Sequence, residues 1–365
     1  LLAMTGGGVA LAAFGTASNT AHAETFPLIS PGPEWTLLGQ APDALALNPW
    51  SGQGIRTMFL DGGRIYYGYG DYGTNPGTAS GKGINVSYFD LASQSFQVAM
   101  VGYATEEINT FRRIGASLAV PSVDPALRTA SCATSVGGWH EATGIPSAEH
   151  VFDVARGLTD QDLFICGSAN VGGVSSATIW RSLDGGKSWN LFFQEPETSG
   201  YQDGYERFYW MARVGNYLYV RADLGTKVLR AAPMRRYDLS TARWTTMGAT
   251  GLKLPNTTYF TLAQQGVRQA SDVQVVGSNI YFGMYDYLYM YNGKATKALT
   301  TAAGGYRKMA FGSDGNLYAT IDTGVYRVSG TTLTKVATGT CYTPIVVNGM
   351  VYTSGNQGAL YRKAL

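Results

Sequence analysis

The chain has 365 residues, of which 47 are glycine and 24 are tyrosine, while only 14% are charged. This glycine-rich and charge-poor composition is typical of an all-β protein with many tight turns. The formal net charge of +2 argues against a preference for nucleic acid or for membrane surfaces. Beyond the N-terminal segment, the sequence holds no apolar run long enough to span a bilayer.

The first 23 residues are typical of a targeting segment. Residues 8–14 form a short apolar run, and Ala21, His22 and Ala23 make an A-x-A cleavage site. We therefore expect residues 1–23 to be part of a signal peptide, with Glu24 as the first residue of the mature chain. The expected location is outside a bacterial cell, as a secreted protein.

One pattern recurs along the mature chain: an apolar strand, a turn with glycine or asparagine, and a second strand that ends in an aromatic residue. Five clear copies and two looser ones lie at 57–68, 211–220, 273–283, 309–319, 344–353, 117–120 and 151–167. Third strands are predicted at 179–181, 228–230, 288–290, 325–327 and 360–362, and fourth strands at 96–98, 244–246 and 333–336. Four antiparallel strands per repeat, with no helical period between them, predict an all-β, seven-bladed β-propeller. The weak second copy leaves six or eight blades open.

The two ends of the chain are expected to complete one blade. The last repeat has its third strand at 360–362 and no fourth strand after it. The segment 35–38 near the mature N-terminus can supply that strand, which would close the ring and cover both sheet edges. Residues 24–365 are therefore predicted to form one β-propeller domain.

Residues 182–189, Ser-Leu-Asp-Gly-Gly-Lys-Ser-Trp, join two strand-like runs. An aspartate at a hairpin tip can bond the N–H groups of its own turn, glycine supplies a positive φ, and tryptophan can cover the strand pair. The spacing Ser-x-Asp-x-Gly-x-Ser-Trp resembles the Asp-box of sialidase-like and related secreted β-propellers. The resemblance implies a structural role for this segment, on the outer rim and away from an active site.

In a propeller, the inner strand of each blade starts at the face where the second strand ends, and functional loops usually gather there. Six arginines fall at such positions of the repeats: Arg56, Arg112, Arg207, Arg221, Arg268 and Arg307. A ring of guanidinium groups suits a ligand with carboxylate or sulfate groups, because the planar fork binds an oxyanion at two points. The alternative is that each arginine pairs with an aspartate of the adjacent blade.

His140 and His150 are the only histidines of the expected mature chain. His150 lies at the start of an inner strand, and the segment with His140 is expected to reach the same face. The glycine-rich loop 68–77 adds Asp71 and Tyr72, since glycines let the backbone approach a ligand and tyrosines stack on sugar rings. The alternatives are structural roles for both histidines and a tight loop in which Asp71 bonds its own turn.

These residue types are similar to those of the seven-bladed propeller lyases that degrade ulvan and oligogalacturonate, which use His, Tyr and Arg. The resemblance lies in architecture and residue types, without a long shared motif. It implies β-elimination on a uronic-acid polysaccharide, with His140 or His150 and Tyr205 in proton transfer and Arg221 or Arg207 at the carboxylate.

Two other functions stay open. A glycoside hydrolase would use paired carboxylates from the set Asp71, Glu107, Asp124, Glu149 and Asp223. The sequence has one good Asp-box and no Arg-Ile-Pro, which argues against a true sialidase. The third function is a non-catalytic glycan-binding propeller.

The expected partner is a polysaccharide, with anionic groups, bound by a monomer. The chemistry requires no cofactor; a divalent cation such as Ca²⁺ could occupy the central channel, although no ligand set stands out. The three cysteines are Cys132, Cys166 and Cys341. A disulfide between Cys132 and Cys166 and three buried thiols are both open.

Overall fold

The computed structural model describes residues 27–47, 52–70, 83–123, 130–195, 207–223, 234–246, 272–284, 287–300, 305–322, 324–339 and 342–365. Within these ranges, seven sheets of four antiparallel strands follow one another along the chain. From blade 2 to blade 7 the inner strands of successive blades contact each other, and the last inner strand contacts the first. The chain is therefore a seven-bladed β-propeller, as the repeats predict.

The chain begins with strand β1 (Thr36–Gln40) and the single-turn helix α1 (Pro42–Leu45). The strands of blades 1 to 3 are β2 (Thr57–Asp61), β3 (Arg64–Gly68), β4 (Ile84–Asp90), β5 (Ser95–Tyr103), β6 (Arg112–Ile114), β7 (Ser117–Pro121), β8 (Cys132–Thr134), β9 (His140–Ala142), β10 (Ala148–Arg156), β11 (Leu163–Val171), β12 (Val174–Ser182) and β13 (Asn190–Gln194).

Blades 4 to 7 continue the same order from the centre of the ring to its rim. Their strands are β14 (Arg207–Val214), β15 (Tyr217–Asp223), β16 (Arg235–Asp238), β17 (Arg243–Thr246), β18 (Val273–Val276), β19 (Asn279–Met284), β20 (Tyr287–Tyr291), β21 (Thr296–Ala298), β22 (Tyr306–Phe311), β23 (Leu317–Ile321), β24 (Gly324–Ser329), β25 (Thr332–Thr338), β26 (Pro344–Val347), β27 (Met350–Ser354) and β28 (Ala359–Ala364).

The N-terminal strand completes the last blade, as expected. β1 pairs antiparallel with β28, with Thr36 opposite Arg362, in the sheet order β1-β28-β27-β26. Trp35, just before β1, is buried between blades 6 and 7 and donates its indole N–H to the Thr338 carbonyl at 3.0 Å. This closure pairs the outer edge of β28, which would otherwise be exposed.

The hydrophobic core lies between the blades. Each buried cluster joins side chains of neighbouring sheets, such as Trp180 of blade 3 with Ala119 of blade 2. In the same way, Trp210 of blade 4 packs with Phe282 of blade 5. Because both faces of each sheet are covered, aromatic and aliphatic residues occupy both faces of the strands.

The structure corrects two expectations. The third strand of blade 4 is Arg235–Asp238, which pairs with β15, whereas the predicted segment 228–230 lies outside the described residues. Cys132 and Cys166 are both free and buried. Cys132 packs between blades 2 and 3 and Cys166 between blades 3 and 4, so their side chains occupy separate cores and form no disulfide. Cys341 lies outside the described residues.

We call the face where inner strands begin the upper face, and the face where they end the lower face. Connections at the lower face are short, such as 62–63 between β2 and β3 and 348–349 between β26 and β27. At the upper face, β3 ends at Gly68 and β4 begins at Ile84, while β17 ends at Thr246 and β18 begins at Val273. Across the described ranges, no helix has the length and hydropathy needed to cross a membrane.

Candidate functional site

Two of the arginines predicted for the upper face are ion-paired with a neighbouring blade. Arg56, just before β2, bonds Glu107 at 2.8 Å, and both side chains are buried. Arg112, at the start of β6, forms two bonds of 2.6 and 3.0 Å with Asp153 of β10. Burial acts to lower the pKa of Arg112, but the Asp153 carboxylate raises it overall. These two arginines connect blades to each other.

Two other predicted arginines rest on aromatic rings. The Cζ atom of Arg207, at the start of β14, lies 6.0 Å from the ring centre of Phe152 in blade 3. The Cζ atom of Arg307 in β22 lies 5.4 Å from the ring centre of Tyr342, which precedes blade 7. Both Nε atoms are buried without a hydrogen-bond partner among the described residues. Such an orphaned charged donor costs free energy unless a ligand bonds to it.

β-Bulges change the direction of several side chains near the upper face. In three inner strands the pairing register skips one residue near the strand start: Glu149 in β10, Tyr209 in β14 and Arg307 in β22. A second skip in β10 falls on Phe152. An extra residue interrupts the alternation of a strand and turns its side chain in a new direction. Blades 3, 4 and 6 thereby gain side chains that a regular strand would not direct there.

His150 and Glu149 meet at one hydroxyl group. Ser168 Oγ lies 3.0 Å from His150 Nδ1 and donates to Glu149 Oε2 at 2.9 Å. Glu149 also accepts a bond of 2.6 Å from Ser175. The hydrogen bond with His150, together with those from the two serines, lowers the pKa of Glu149 to about 2. Glu149 is therefore ionised at neutral pH and faces the imidazole at 3.6 Å.

Aromatic rings extend this site from blade 3 to blade 4. The His150 ring stacks on Phe152 with centres 5.5 Å apart, and Phe152 lies 5.0 Å from Tyr209. Together with Arg207, these residues form what we call the blade 3–4 cluster: His150, Phe152, Tyr209 and Arg207. The cluster combines one guanidinium group, one imidazole and two rings at the upper face, where Arg207, His150 and Tyr209 are partly exposed and Phe152 is buried.

His140 does not join this cluster. It begins β9, the outermost strand of blade 2, opposite Thr134 at the lower end of β8. Its Nε2 atom lies 3.2 Å from Thr134 Oγ1, and its Nδ1 atom lies 3.0 Å from the Gly138 carbonyl. The expectation that both histidines reach one face is wrong, because the hairpin of β8 and β9 turns at the lower face.

Of the remaining predicted site residues, some are described by the structure and others are not. Arg221 is buried in β15, opposite Trp210 of β14. Tyr205, Asp71, Tyr72, Arg268 and Asp124 lie outside the described residues, and the side chain of Asp223 is not described either. Among the described residues, no group of three or more His, Cys, Asp or Glu side chains is arranged to hold a metal ion.

The 182–189 segment forms a hairpin between β12 and β13 at the lower face. Asp184 accepts backbone bonds from Lys187 and Ser188, each of 3.0 Å, and a bond of 2.6 Å from the Ser188 hydroxyl. Although desolvation opposes them, these bonds lower the pKa of Asp184 to about 2. Trp189 is buried between blades 2 and 3, so this turn holds the rim of the blade together.

Sequence reasoning missed Phe152, Tyr209 and Tyr342, which provide the rings of the site. Residues 208–210 are Phe, Tyr and Trp in succession, which marks an aromatic strand start. Because both faces of a blade are apolar, this run does not by itself reveal the bulge at Tyr209. For Tyr342 we find no comparable signal.

Comparisons with known proteins extend the description of the fold. No known protein family matches the sequence, and no curated protein matches it. The chain is similar to the extracellular domain of the putative one-component system BT4673 from B. thetaiotaomicron, with a TM-score of 0.50, 12% identity, and coverage of 90% of this chain and 40% of that one. It is also similar to the computationally designed Ika8 protein, with a TM-score of 0.44, 11% identity, and coverage of 90% and 100%.

This chain therefore spans about 40% of the length of the bacterial structure it resembles. At 12% identity, that likeness shows the fold alone. By its strand order, its closure and this likeness, the chain is a seven-bladed β-propeller.

Proposed function

We propose that the protein binds an anionic polysaccharide on its upper face. The observation that carries this proposal is the pair Arg207 and Arg307, whose buried Nε atoms have no hydrogen-bond partner among the described residues. A carboxylate or sulfate group would supply the missing acceptor and the missing negative charge. The two arginines belong to blades 4 and 6, so a chain of several sugars can reach both.

The aromatic residues support a sugar ligand. The partly exposed ring of Tyr209 lies beside the buried ring of Phe152, which Arg207 covers, and the partly exposed ring of Tyr342 lies under Arg307. Aromatic faces pack against the C–H groups of sugar rings, while guanidinium groups bind their carboxylates. The combination favours a polymer of uronic acids over a neutral glycan.

The predicted location of the protein, outside the cell, is part of this proposal. It is supported by the targeting pattern in residues 1–23. The similar bacterial structure is an extracellular domain of a putative one-component system, which fits a role in glycan binding or sensing.

Direct binding tests this function. Isothermal titration with oligogalacturonate should give saturable binding, whereas the methyl-esterified polymer, which lacks the charge, should bind weakly. Arg207→Ala should weaken binding about tenfold or more, the expected loss for a charge-assisted hydrogen bond. Arg243→Ala is the matched control, since Arg243 is exposed on the outermost strand of blade 4. Equal binding of both polymers would refute the proposal.

β-Elimination is the second candidate, favoured by the position of His150. Ser168 Oγ lies 3.0 Å from Nδ1, and in this candidate mechanism Nε2 would transfer the proton. In this reaction the imidazole takes the proton from C5, the C4–O bond breaks, a C4=C5 double bond forms, and an acid protonates the leaving oxygen. Tyr209, whose ring lies 5.0 Å from Phe152, is a candidate for that last step, and Tyr205 stays a candidate outside the described residues.

Hydrolysis by paired carboxylates is less well supported. A hydrolase needs one carboxylic acid that is protonated near neutral pH. Glu149, the carboxylate nearest to the blade 3–4 cluster, has its pKa lowered to about 2 and cannot supply that proton. Glu107 is bonded to Arg56 across two blades.

Ultraviolet absorbance of unsaturated uronides separates these outcomes. Incubation with polygalacturonate should raise the absorbance if elimination occurs, and His150→Ala should abolish the rise while binding persists. His140→Ala should leave the rise intact, since that ring lies at the lower face. New reducing ends without absorbance would indicate hydrolysis, and neither signal with retained binding would indicate a binding protein without catalysis.

A further inference from the structure

A cavity of about 1070 Å³ occupies the central channel and reaches the lower face. Its walls are the inner strands, and its outer lining includes the lower-face turn at 62–63 and Asn348 of the turn between β26 and β27. The volume corresponds to the upper end of the range for small-molecule sites. The blade 3–4 cluster does not line it, so this cavity is a separate place in the molecule.

The inner end of the cavity is crossed by one side chain. Arg112 of blade 2 bonds Asp153 of blade 3 and donates to the Val273 carbonyl of blade 5 at 2.7 Å. Blades 2 and 5 are not neighbours, so this side chain spans the channel. Lys308 and Asp272 lie at the same level and attract each other. Arg112 and Lys308 each have a buried carboxylate beside them, so the positive groups at the inner end already have acidic partners.

The lower opening is different, because arginines from three consecutive blades line it. They are Arg113, Arg156 and Arg213, close to the ends of β6, β10 and β14. Arg113 pairs with Asp61 at 2.7 Å and Arg156 with Asp160 at 2.6 Å. For both pairs the side chains are partly in solvent, so the charges stay accessible to a further anion.

Arg213 is held by neutral groups. Its Nε atom donates to the Gly215 carbonyl at 3.0 Å, and its Nη1 atom donates to the Gly157 carbonyl. In the described part of the chain, no carboxylate lies within ion-pair distance of it. Partial burial and then the positive charge of Arg156 lower the pKa of Arg213, so a negative group beside these two arginines would be favoured.

The opposite wall is mostly uncharged, with the Asp90 carboxylate of blade 1 as the exception. Phe59 of blade 1, Val275 of blade 5 and Phe311 of blade 6 line it, together with the neutral side chains of Gln274 and Asn348. The Cζ atom of Arg113 lies 5.5 Å from the ring centre of Phe59, so this ring adjoins the charged wall. Arginines next to apolar side chains fit a small molecule that is anionic at one end and apolar along its body.

We propose that this cavity binds a small organic carboxylate, with its charged group at Arg213 and Arg156 and its apolar body against Phe59 and Phe311. The arginine fork supplies bonds to both carboxylate oxygens, and the rings remove the apolar body from water. This site is independent of polysaccharide binding on the upper face.

Titration of the whole protein with benzoate, benzamide and inorganic phosphate tests this proposal. Benzoate should bind with saturation, and benzamide, of equal shape without charge, should bind about tenfold more weakly or worse, as for the loss of one charged bond. Phosphate should also bind more weakly than benzoate, because it makes no contact with the rings. Equal affinity for benzoate and benzamide, or no binding of benzoate at millimolar concentration, would overturn the proposal without use of any variant.

A variant then locates the site. Arg213→Gln should weaken benzoate binding about tenfold and leave oligogalacturonate binding unchanged. Arg327→Gln, an exposed arginine on the third strand of blade 6, is the control and should bind benzoate like the wild type. A circular dichroism melt shows whether Arg213→Gln is folded, and a folded variant with full affinity would contradict the assignment.

Discussion

The arginines of the upper face form two groups that differ in what the adjacent blade offers them. Arg56 and Arg112 meet the carboxylates Glu107 and Asp153, whereas Arg207 and Arg307 meet the rings of Phe152 and Tyr342. All four stand at or next to the start of an inner strand. The comparison teaches that one residue type at one position of a repeat can join blades or face a ligand, depending on its neighbour.

The largest effect is expected where the ion pair is buried. Arg112→Met leaves the fully buried Asp153 without its partner and removes the bond to blade 5, so it should lower the free energy of unfolding by about 3–5 kcal/mol. Urea denaturation followed by circular dichroism measures the loss. Adding Asp153→Asn should recover part of it, because the uncompensated charge disappears. If Arg112→Met alone were as stable as the wild type, the distinction between ion-paired and ring-bound arginines would not hold.

A smaller effect is expected from crowding of the blade 3–4 cluster. A Cβ atom at Gly167 would lie 1.8 Å from the His150 carbonyl oxygen, so Gly167→Ala must displace the bulged strand at a cost of about 1–3 kcal/mol. Gly54→Ala, which meets nothing within 4 Å, is the matched control. Thermal unfolding of both variants, with binding assays on each, should show a loss for Gly167→Ala alone. Unchanged binding in that variant would show that the position of His150 does not matter.

Arg307→Met sharpens the comparison with Arg112→Met. Arg307 has a ring contact and no carboxylate partner among the described residues, so its loss should change stability by less than about 1 kcal/mol. Oligogalacturonate binding should nevertheless weaken. A destabilisation as large as that of Arg112→Met, in the same urea experiment, would place Arg307 with the ion-paired group.

The smallest effect is expected on thermal stability at low pH. The folded pKa of Glu149 is about 2, below the ordinary value of 4.5, so its stabilising contribution is complete above pH 4.5 and is lost as the pH falls towards 2. Glu149→Gln lacks this titration. Melting temperatures recorded through that window should therefore fall more steeply for the wild type than for the variant, and parallel curves would contradict the lowered pKa.

The fold was largely predictable because each blade repeats the same strand and turn pattern, and because the segment at 35–38 matched the missing strand of the last repeat. The third strand of blade 4 was misplaced at 228–230, since Val-Leu-Arg there has the same local pattern as true third strands. Local pattern cannot tell which of two such segments reaches the neighbouring strand.

The site was less predictable than the fold. The repeat located the strand starts that carry Arg56, Arg112, Arg207 and Arg307, but spacing does not reveal whether a carboxylate of the next blade lies within reach. The bulges that turn Glu149 and Tyr209 depend on single inserted residues, which shift the register without changing the overall pattern. The lower-face position of His140 depends on the direction of the outermost strand, which the loose second repeat did not define.

The pairing of β1 with β28 also has a consequence for the order of folding. Thr36 and Arg362 are paired although nearly the whole chain separates them, so their contact carries a large loop-closure entropy. During synthesis the first strand leaves the ribosome long before its partner exists. The six other blades can form from local hairpins, but the ring closes only after the last blade has been made. We expect docking of this strand to be the slow, final event of folding.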